Sequence, residues 1–305
     1  LEYAGSLWDK NRFSKLDDGD DYGYARNIQL RINPKNISIG NISLGKIGAS
    51  YRDRFVQSKF TSPDRFNDVE FDRNYNIGTS SQPQDETLRE AAITFIPIDE
   101  VSISSSYGYL KRGEDFKSDR FNNRLFIGGR DNPFLVDYNF DYVKSENPFL
   151  KSNWIRQRGN AFYTLWRFKP GVEFFAEDKK DKRRNSDSLL IGSLKFTEIN
   201  PYLELLDLYG FTLSAKYSIR NDYLPLEGFL YRESKSIAHF YELNYSGIPE
   251  VNSNIRVTFR NKKFTEAFKN RGFLDNETIL IRSQNRFNFF KRKINGDIFY
   301  EVSTQ

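Results

Sequence analysis

Residues 101–112 read VSISSSYGYLKR, and the spacing within this stretch decides the fold class. Val101, Ile103, Tyr107 and Tyr109 fall on one side of an extended strand, while Ser102, Ser104, Ser106 and Gly108 fall on the other. One side needs an apolar neighbour, either a protein core or lipid, and the other carries small polar groups. The pattern recurs. Phe134, Val136, Tyr138, Phe140 and Tyr142 oppose Leu135, Asp137, Asn139 and Asp141, and Phe211, Leu213, Ala215, Tyr217 and Ile219 oppose Thr212, Ser214, Lys216, Ser218 and Arg220. Ile255, Val257 and Phe259 repeat it against Asn254, Arg256, Thr258 and Arg260, as do Ile298, Tyr300 and Val302 against Asp297, Phe299 and Glu301. No helical periodicity matches this clarity.

Composition agrees with strands. Twenty-eight Phe and eighteen Tyr in 305 residues favour pleated, half-buried surfaces. Charged residues interrupt every apolar run before the 18 or more residues a spanning helix needs, so membrane helices are excluded while strands of about 10 residues could still cross. Lys and Arg total 46 against 41 Asp and Glu, a net charge of +5 spread along the chain, which gives no footprint for nucleic acid. The absence of Cys suits an oxidising compartment. The chain starts at Leu1, contains no Met and shows no basic-then-apolar leader, so it is expected to be a mature or internal piece.

The connections carry a second signal. Strands are expected at about 2–9, 24–32 and 42–55, with a turn on Asn33 and Pro34 and a bulge near Gly45, followed by a long stretch, 56–88, holding short strands of its own. Short connections are then predicted at 97–100, 130–133, 168–171, 246–252 and 290–295, and long polar ones at 112–121, 144–156, 178–187, 221–235 and 261–276. The apolar segment NPYLELLDLYG (200–210) departs from this rhythm. Alternation of minimal turns with long loops along about fifteen strands is the habit of an outer-membrane barrel, whereas a sandwich has no reason to sort loop length by parity.

Candidate chemistry is sparse. The single histidine, His239, shares a face with Tyr241, Leu243 and Tyr245, which marks it as a residue of an aromatic face rather than a base. GASYRDRF (48–55) and IGGRDNPF (127–134) lack the spacing of a phosphate-cradling loop, and no carboxylate pair stands out for acid/base work, so enzymatic activity is not expected. Asp17, Asp18, Asp20 and Asp21 around Gly19 place hard oxygen ligands in one tight turn of loop 9–23, a candidate calcium site, against the alternative of a solvated acidic tip. Lys179, Lys180, Lys182, Arg183 and Arg184 crowd AEDKKDKRRNSD (176–187), a candidate contact for lipopolysaccharide phosphates, against the alternative of a soluble loop end.

The segments SPDRFNDVEFDRNYN (62–76), YGYLKRGEDFKSDRF (107–121), SNWIRQRG (152–159) and DIFYEVSTQ (297–305) resemble those of large surface proteins of Gram-negative bacteria with outer-membrane β-barrel architecture. That resemblance implies an envelope location and a sequence that continues past Gln305; it supplies no site residues. The expectation is therefore an all-β antiparallel up-and-down meander of about 15–16 strands, a single transmembrane β-barrel domain over 1–305 or part of a larger one truncated at its C-terminal end. Its expected role is a pore or export channel without cofactor. The expected partners are outer-membrane lipid and lipopolysaccharide, together with further strands or periplasmic proteins, and no nucleic acid. The alternative is a secreted β-rich module that recognises polysaccharide or protein.

Overall fold

The computed structural model describes residues 1–7, 22–40, 42–64, 66–78, 83–129, 132–289 and 294–304. Its strands are β1 (Glu2–Leu7), β2 (Tyr22–Ile39), β3 (Ile42–Val56), β4 (Glu86–Ile98), β5 (Val101–Arg112), β6 (Phe116–Ile127), β7 (Phe134–Glu146) and β8 (Leu150–Tyr163). They continue as β9 (Phe168–Arg183), β10 (Leu194–Leu208), β11 (Phe211–Leu226), β12 (Phe229–Ile248), β13 (Val251–Phe264), β14 (Asn276–Phe289) and β15 (Ile294–Thr304). Two single-turn helices, α1 (Phe71–Asn74) and α2 (Glu266–Lys269), sit in connections. The strands form one antiparallel sheet in sequence order, with β1 and β15 as its edges and no pairing between those two among the described residues. The expected meander of about fifteen strands is thus observed.

Contacts divide the chain into two compact units. The first comprises Leu1–Phe126, Asn139–Arg156 and Lys179–Gly192; the second comprises Ile127–Tyr138, Gln157–Asp178 and Ser193–Gln305.

In the second unit the ladder registers line up side chains in rows across β10–β15. Leu203, Ala215, Tyr241, Val257, Ile281 and Val302 are successive partners, and one step away so are Glu204, Ser214, Glu242, Arg256, Arg282 and Glu301. Because neighbouring positions on a strand face opposite ways, one face of this unit is aliphatic and aromatic and the other is charged. Leu203, Leu213, Tyr241, Ile255, Phe259, Ile279 and Ile281 of the apolar face are all exposed. Among the described residues no second layer covers them.

The first unit has the same outward rows, among them Ile32–Ala49–Ile93–Ser105 and Leu30–Tyr51–Ala91–Tyr107, and Ile93, Ile103 and Tyr107 are exposed. Its other face, however, is covered. Residues 66–77 of the connection 57–85 fold back over it, and Phe71 and Tyr75 pack on Leu88 and Leu110 to make a small core, with Ile77 and Phe116 at its edge.

Several predicted connections are in fact strand. The Asn33–Pro34 pair is not a turn but a bulge inside β2, with both residues opposite Gly48; a bulge is a position where a sheet tolerates the missing proline N–H. The bulge near Gly45 is present, where the register shifts beside Ile37 and Ser38. Segments 112–121, 144–156 and 221–235 shrink to 113–115, 147–149 and 227–228, because the strands run on after their alternation ends. Residues 227 and 228 form a two-residue hairpin turn with φ of 51° and 85°, the backbone of a type I′ turn, which is why glycine occupies 228.

FKPG (168–171) opens β9, and its turn lies earlier, at 164–167. NPYLELLDLYG is the end of β10, a bulge between Leu205 and Leu208 and a turn at 209–210, so it no longer breaks the rhythm. The stretch 56–88 contains α1 and no short strand of its own among its described residues. The parity rule survives in this form: every described connection of ten residues or more, 57–85, 184–193 and 265–275, follows an odd-numbered strand, and the described connections after even-numbered strands, 99–100, 164–167, 209–210 and 249–250, are all short.

Candidate functional site

The polar face of the first unit is built from strand positions that alternate with the outward rows. Gln29, Arg52, Glu90 and Gly108 form one row, Asn27, Arg54, Leu88 and Leu110 the next, and Ala25, Val56, Glu86 and Arg112 the next. Neighbouring strands lie close enough for side chains on adjacent rows to meet. Arg54 Nη2 donates to Glu86 at 2.6 Å and Arg112 Nε donates to the other Glu86 oxygen at 2.7 Å. Arg54 and Glu86 keep only 6% and 5% of their side-chain surface, so this pair works in a medium of low polarity where each charge depends on the other.

The covering connection supplies the rest of the enclosure. The Phe66 and Phe71 rings stack on the Arg54 guanidinium at 5.1 and 5.2 Å. Tyr75 donates its hydroxyl to Glu90 at 2.7 Å, and burial, reinforced by that carboxylate, pushes its ionisation well above the ordinary tyrosine range. Tyr75 therefore acts only as a neutral donor. Gly108 makes the docking possible, since a Cβ there would run into the Tyr75 hydroxyl.

Farther along the same unit the charges continue. Asp141 accepts from Arg120 through both oxygens, at 3.1 and 2.9 Å, and from Arg156 at 2.8 Å. Asn76, next to α1, donates to Ser145 at 2.8 Å, which ties the connection to β7. Trp154 is ringed by cations, with Arg156, Lys179 and Arg73 at 4.5, 4.9 and 5.9 Å from its ring. On this face Arg52, Arg54, Arg112, Arg120, Arg156 and Lys179 thus stand among Glu86, Glu90, Asp141 and Asp181. The array offers fixed N–H donors and a positive excess, suited to binding or guiding anionic groups.

The sequence-predicted residues fare differently. The acidic positions Asp17, Asp18, Asp20 and Asp21 lie outside the described residues; among those that are described, no three His, Cys, Asp or Glu side chains are arranged to hold a metal. The basic run does not converge on one surface. Lys179 lies against Trp154 and 3.3 Å from Asp181, Lys182 is paired with Asp187 at 3.1 Å, and Arg183 and Arg184 are exposed at the end of β9 and in the turn that follows. Lys180 alternates with Lys179 along the strand. His239 stands between Tyr217 and Tyr241 on the apolar face, with ring centroids 4.9 and 6.5 Å away, on the face its spacing indicated.

Sequence reasoning passed over Arg54, Glu86, Asp141 and Tyr75. The available signal was charge at the polar-face positions of strands whose other face is apolar, together with Gly108 opposite Glu90.

No protein-family model and no curated protein matches the chain. Among solved structures the chain is similar to a BenF-like porin from Pseudomonas fluorescens Pf-5, with a TM-score of 0.39 and 9% identity over 99% of this chain and 90% of that one. It is also similar to OccAB4 from Acinetobacter baumannii, at 0.38 and 11% over 99% and 91%, and to OccK10 (OpdN) from Pseudomonas aeruginosa, at 0.36 and 10% over 98% and 93%.

Proposed function

We propose that the chain is an outer-membrane pore of a Gram-negative bacterium, in which the exposed apolar rows face lipid and the charged rows line a path for small polar solutes. The supporting observation is the sorting of faces. Over both units the apolar side of the sheet is exposed row after row, while the charged side is knitted by ion pairs such as Arg256–Glu242 and Arg220–Glu198. A soluble protein seldom leaves so large an apolar surface open, whereas lipid satisfies it without a second layer. The positive excess of the first unit's polar face favours anions in transit.

The test is reconstitution of the purified chain into planar bilayers. A pore gives stepwise conductance, a reversal potential displaced towards the anion in a salt gradient, and heat-modifiable migration on a gel. A chain that stays monodisperse in buffer without detergent and never conducts is instead a secreted β-rich binding module.

A further inference from the structure

The outward face of β2–β5 changes character towards the end where the long connections lie. Row by row it passes from Ile32–Ala49–Ile93–Ser105 to Leu30–Tyr51–Ala91–Tyr107, then to Ile28–Asp53–Arg89–Tyr109, and then to Arg26–Phe55–Thr87–Lys111. Aliphatic side chains thus give way to tyrosines and the tyrosines to cations, within three steps along each strand. Tyr51, Arg89, Glu90, Ala91, Tyr107 and Tyr109 line a shallow depression of about 330 Å³ at this border.

The cations are held in place yet open to the outside. Asp53, only 11% exposed, accepts from Arg26 Nη2 at 3.2 Å and from Arg89 Nε at 3.1 Å, while Arg26 and Arg89 remain 46% and 56% exposed. A single carboxylate therefore orients two guanidinium groups without neutralising both. On the neighbouring strand Tyr107 donates its hydroxyl to Asp119, which engages the other outward carboxylate. Counting Lys111 and Lys117, four outward cations stand against Asp53 and Asp119. An excess of positive charge directly above a tyrosine belt, on an exposed apolar wall, matches a lipid whose phosphate sits over its own acyl chains.

We propose that Arg26, Arg89 and Lys111 form a binding site for the phosphate of an anionic membrane-lipid headgroup, with Tyr51, Tyr107 and Tyr109 receiving the acyl segment beneath it. This rests on the membrane reading above. The site is distinct from the 176–187 run, because it lies on β2–β5 and its cations share one face.

The experiment uses the full chain in detergent micelles, with lipid adducts counted by native mass spectrometry after addition of phosphatidylglycerol or phosphatidylcholine. Retention of phosphatidylglycerol over phosphatidylcholine is expected, weakened about fivefold for each cation removed in Arg89→Gln and Lys111→Gln. Lys111→Gln leaves the Asp53 pairs intact, so it reports even if Arg89→Gln unfolds, and heat-modifiable migration certifies each variant. Inorganic phosphate in large excess should not displace the lipid. Equal retention of the two lipids, unchanged preference in folded Lys111→Gln, or displacement by inorganic phosphate overturns the site. Because conductance is scored on the same preparations, a conducting protein without lipid preference refutes only the site, and a soluble, non-conducting one refutes the membrane reading itself.

Discussion

The two units carry the same kind of polar face under different cover. In the first, a connection lies over it, and Arg54–Glu86 is buried beneath Phe66 and Phe71. In the second, Glu242 gathers Arg256, Asn244 and Asn254 in an open row, with side-chain exposures of 46% and 30% for the Arg256–Glu242 pair. The residue chemistry is alike; the surrounding dielectric is not. An open pair competes with water and contributes little, whereas a buried pair stabilises little on balance yet cannot lose one partner cheaply.

That contrast sets the largest expected effect. Glu86→Gln leaves Arg54 and Arg112 without their shared carboxylate under the cover and should cost roughly 3–5 kcal/mol, whereas Glu242→Gln in the open row should cost less than about 1 kcal/mol. Urea unfolding in detergent measures both, and equal costs would mean that the 57–85 connection does not exclude water.

Next in size is the apolar side. On the membrane reading Ile103→Arg puts a charge in hydrocarbon and should cost about 2–4 kcal/mol near the midplane, while Ser104→Arg enters the polar face and should chiefly alter ion selectivity. Spin labels at the two positions separate lipid from core: lipid-soluble quenchers should reach 103 and water-soluble ones 104. A label at 103 that neither quencher reaches would mean that protein covers the face.

The smallest effect is local and pH-dependent. Asp275 accepts the Phe264 backbone N–H and sits 3.2 Å from Lys269, and the first of these contacts does most to hold its carboxyl below the ordinary range. A depressed folded value means that the contact contributes above the unfolded value, about 3.9, and is lost as pH falls through the folded one. Acid-stable pepsin should therefore nick 265–275 faster only at the acid end of its range, and Asp275→Asn should remove that pH dependence. A nicking rate insensitive to pH in the parent chain would show that Asp275 does not brace the connection.

The sequence revealed this fold where one face is apolar and hid it where polar or turn-forming residues break the alternation. Val101–Tyr109, Phe134–Tyr142 and Phe211–Ile219 declared themselves by alternation, and each is strand. Beyond them 144–146 reads as loop because its residues are polar on both faces, and 221–235 because Asn221, Asp222 and Pro225 are turn-forming residues, although both segments lie largely in strands. Pro170–Gly171 looked like a turn, but it lies inside β9 with the Tyr202 ring over Gly171, a contact between residues far apart in sequence. The buried cluster was illegible for the same reason. Nothing local to Phe71 or Tyr75 announces that a four-residue helix will settle on Leu88 and Leu110; only the partner strands bring those residues together.

The strict two-residue repeat also dictates which insertions and deletions such a gene can survive. Removing one codon from the middle of β12 would turn every later side chain of that strand to the wrong face, setting Glu242 in the apolar row and Tyr241 in the charged one, whereas removing two would shorten the strand and keep its faces. The bulges record where odd numbers have been absorbed: Asn33 and Pro34 share one partner, and Glu233 stands unpaired between Arg232 and Ser234 in the β11 register. Lineages of this sequence should therefore vary in length in the connections, at 57–85 only outside the 66–77 stretch that covers the polar face, in even steps within strands, and by single residues only at the bulges.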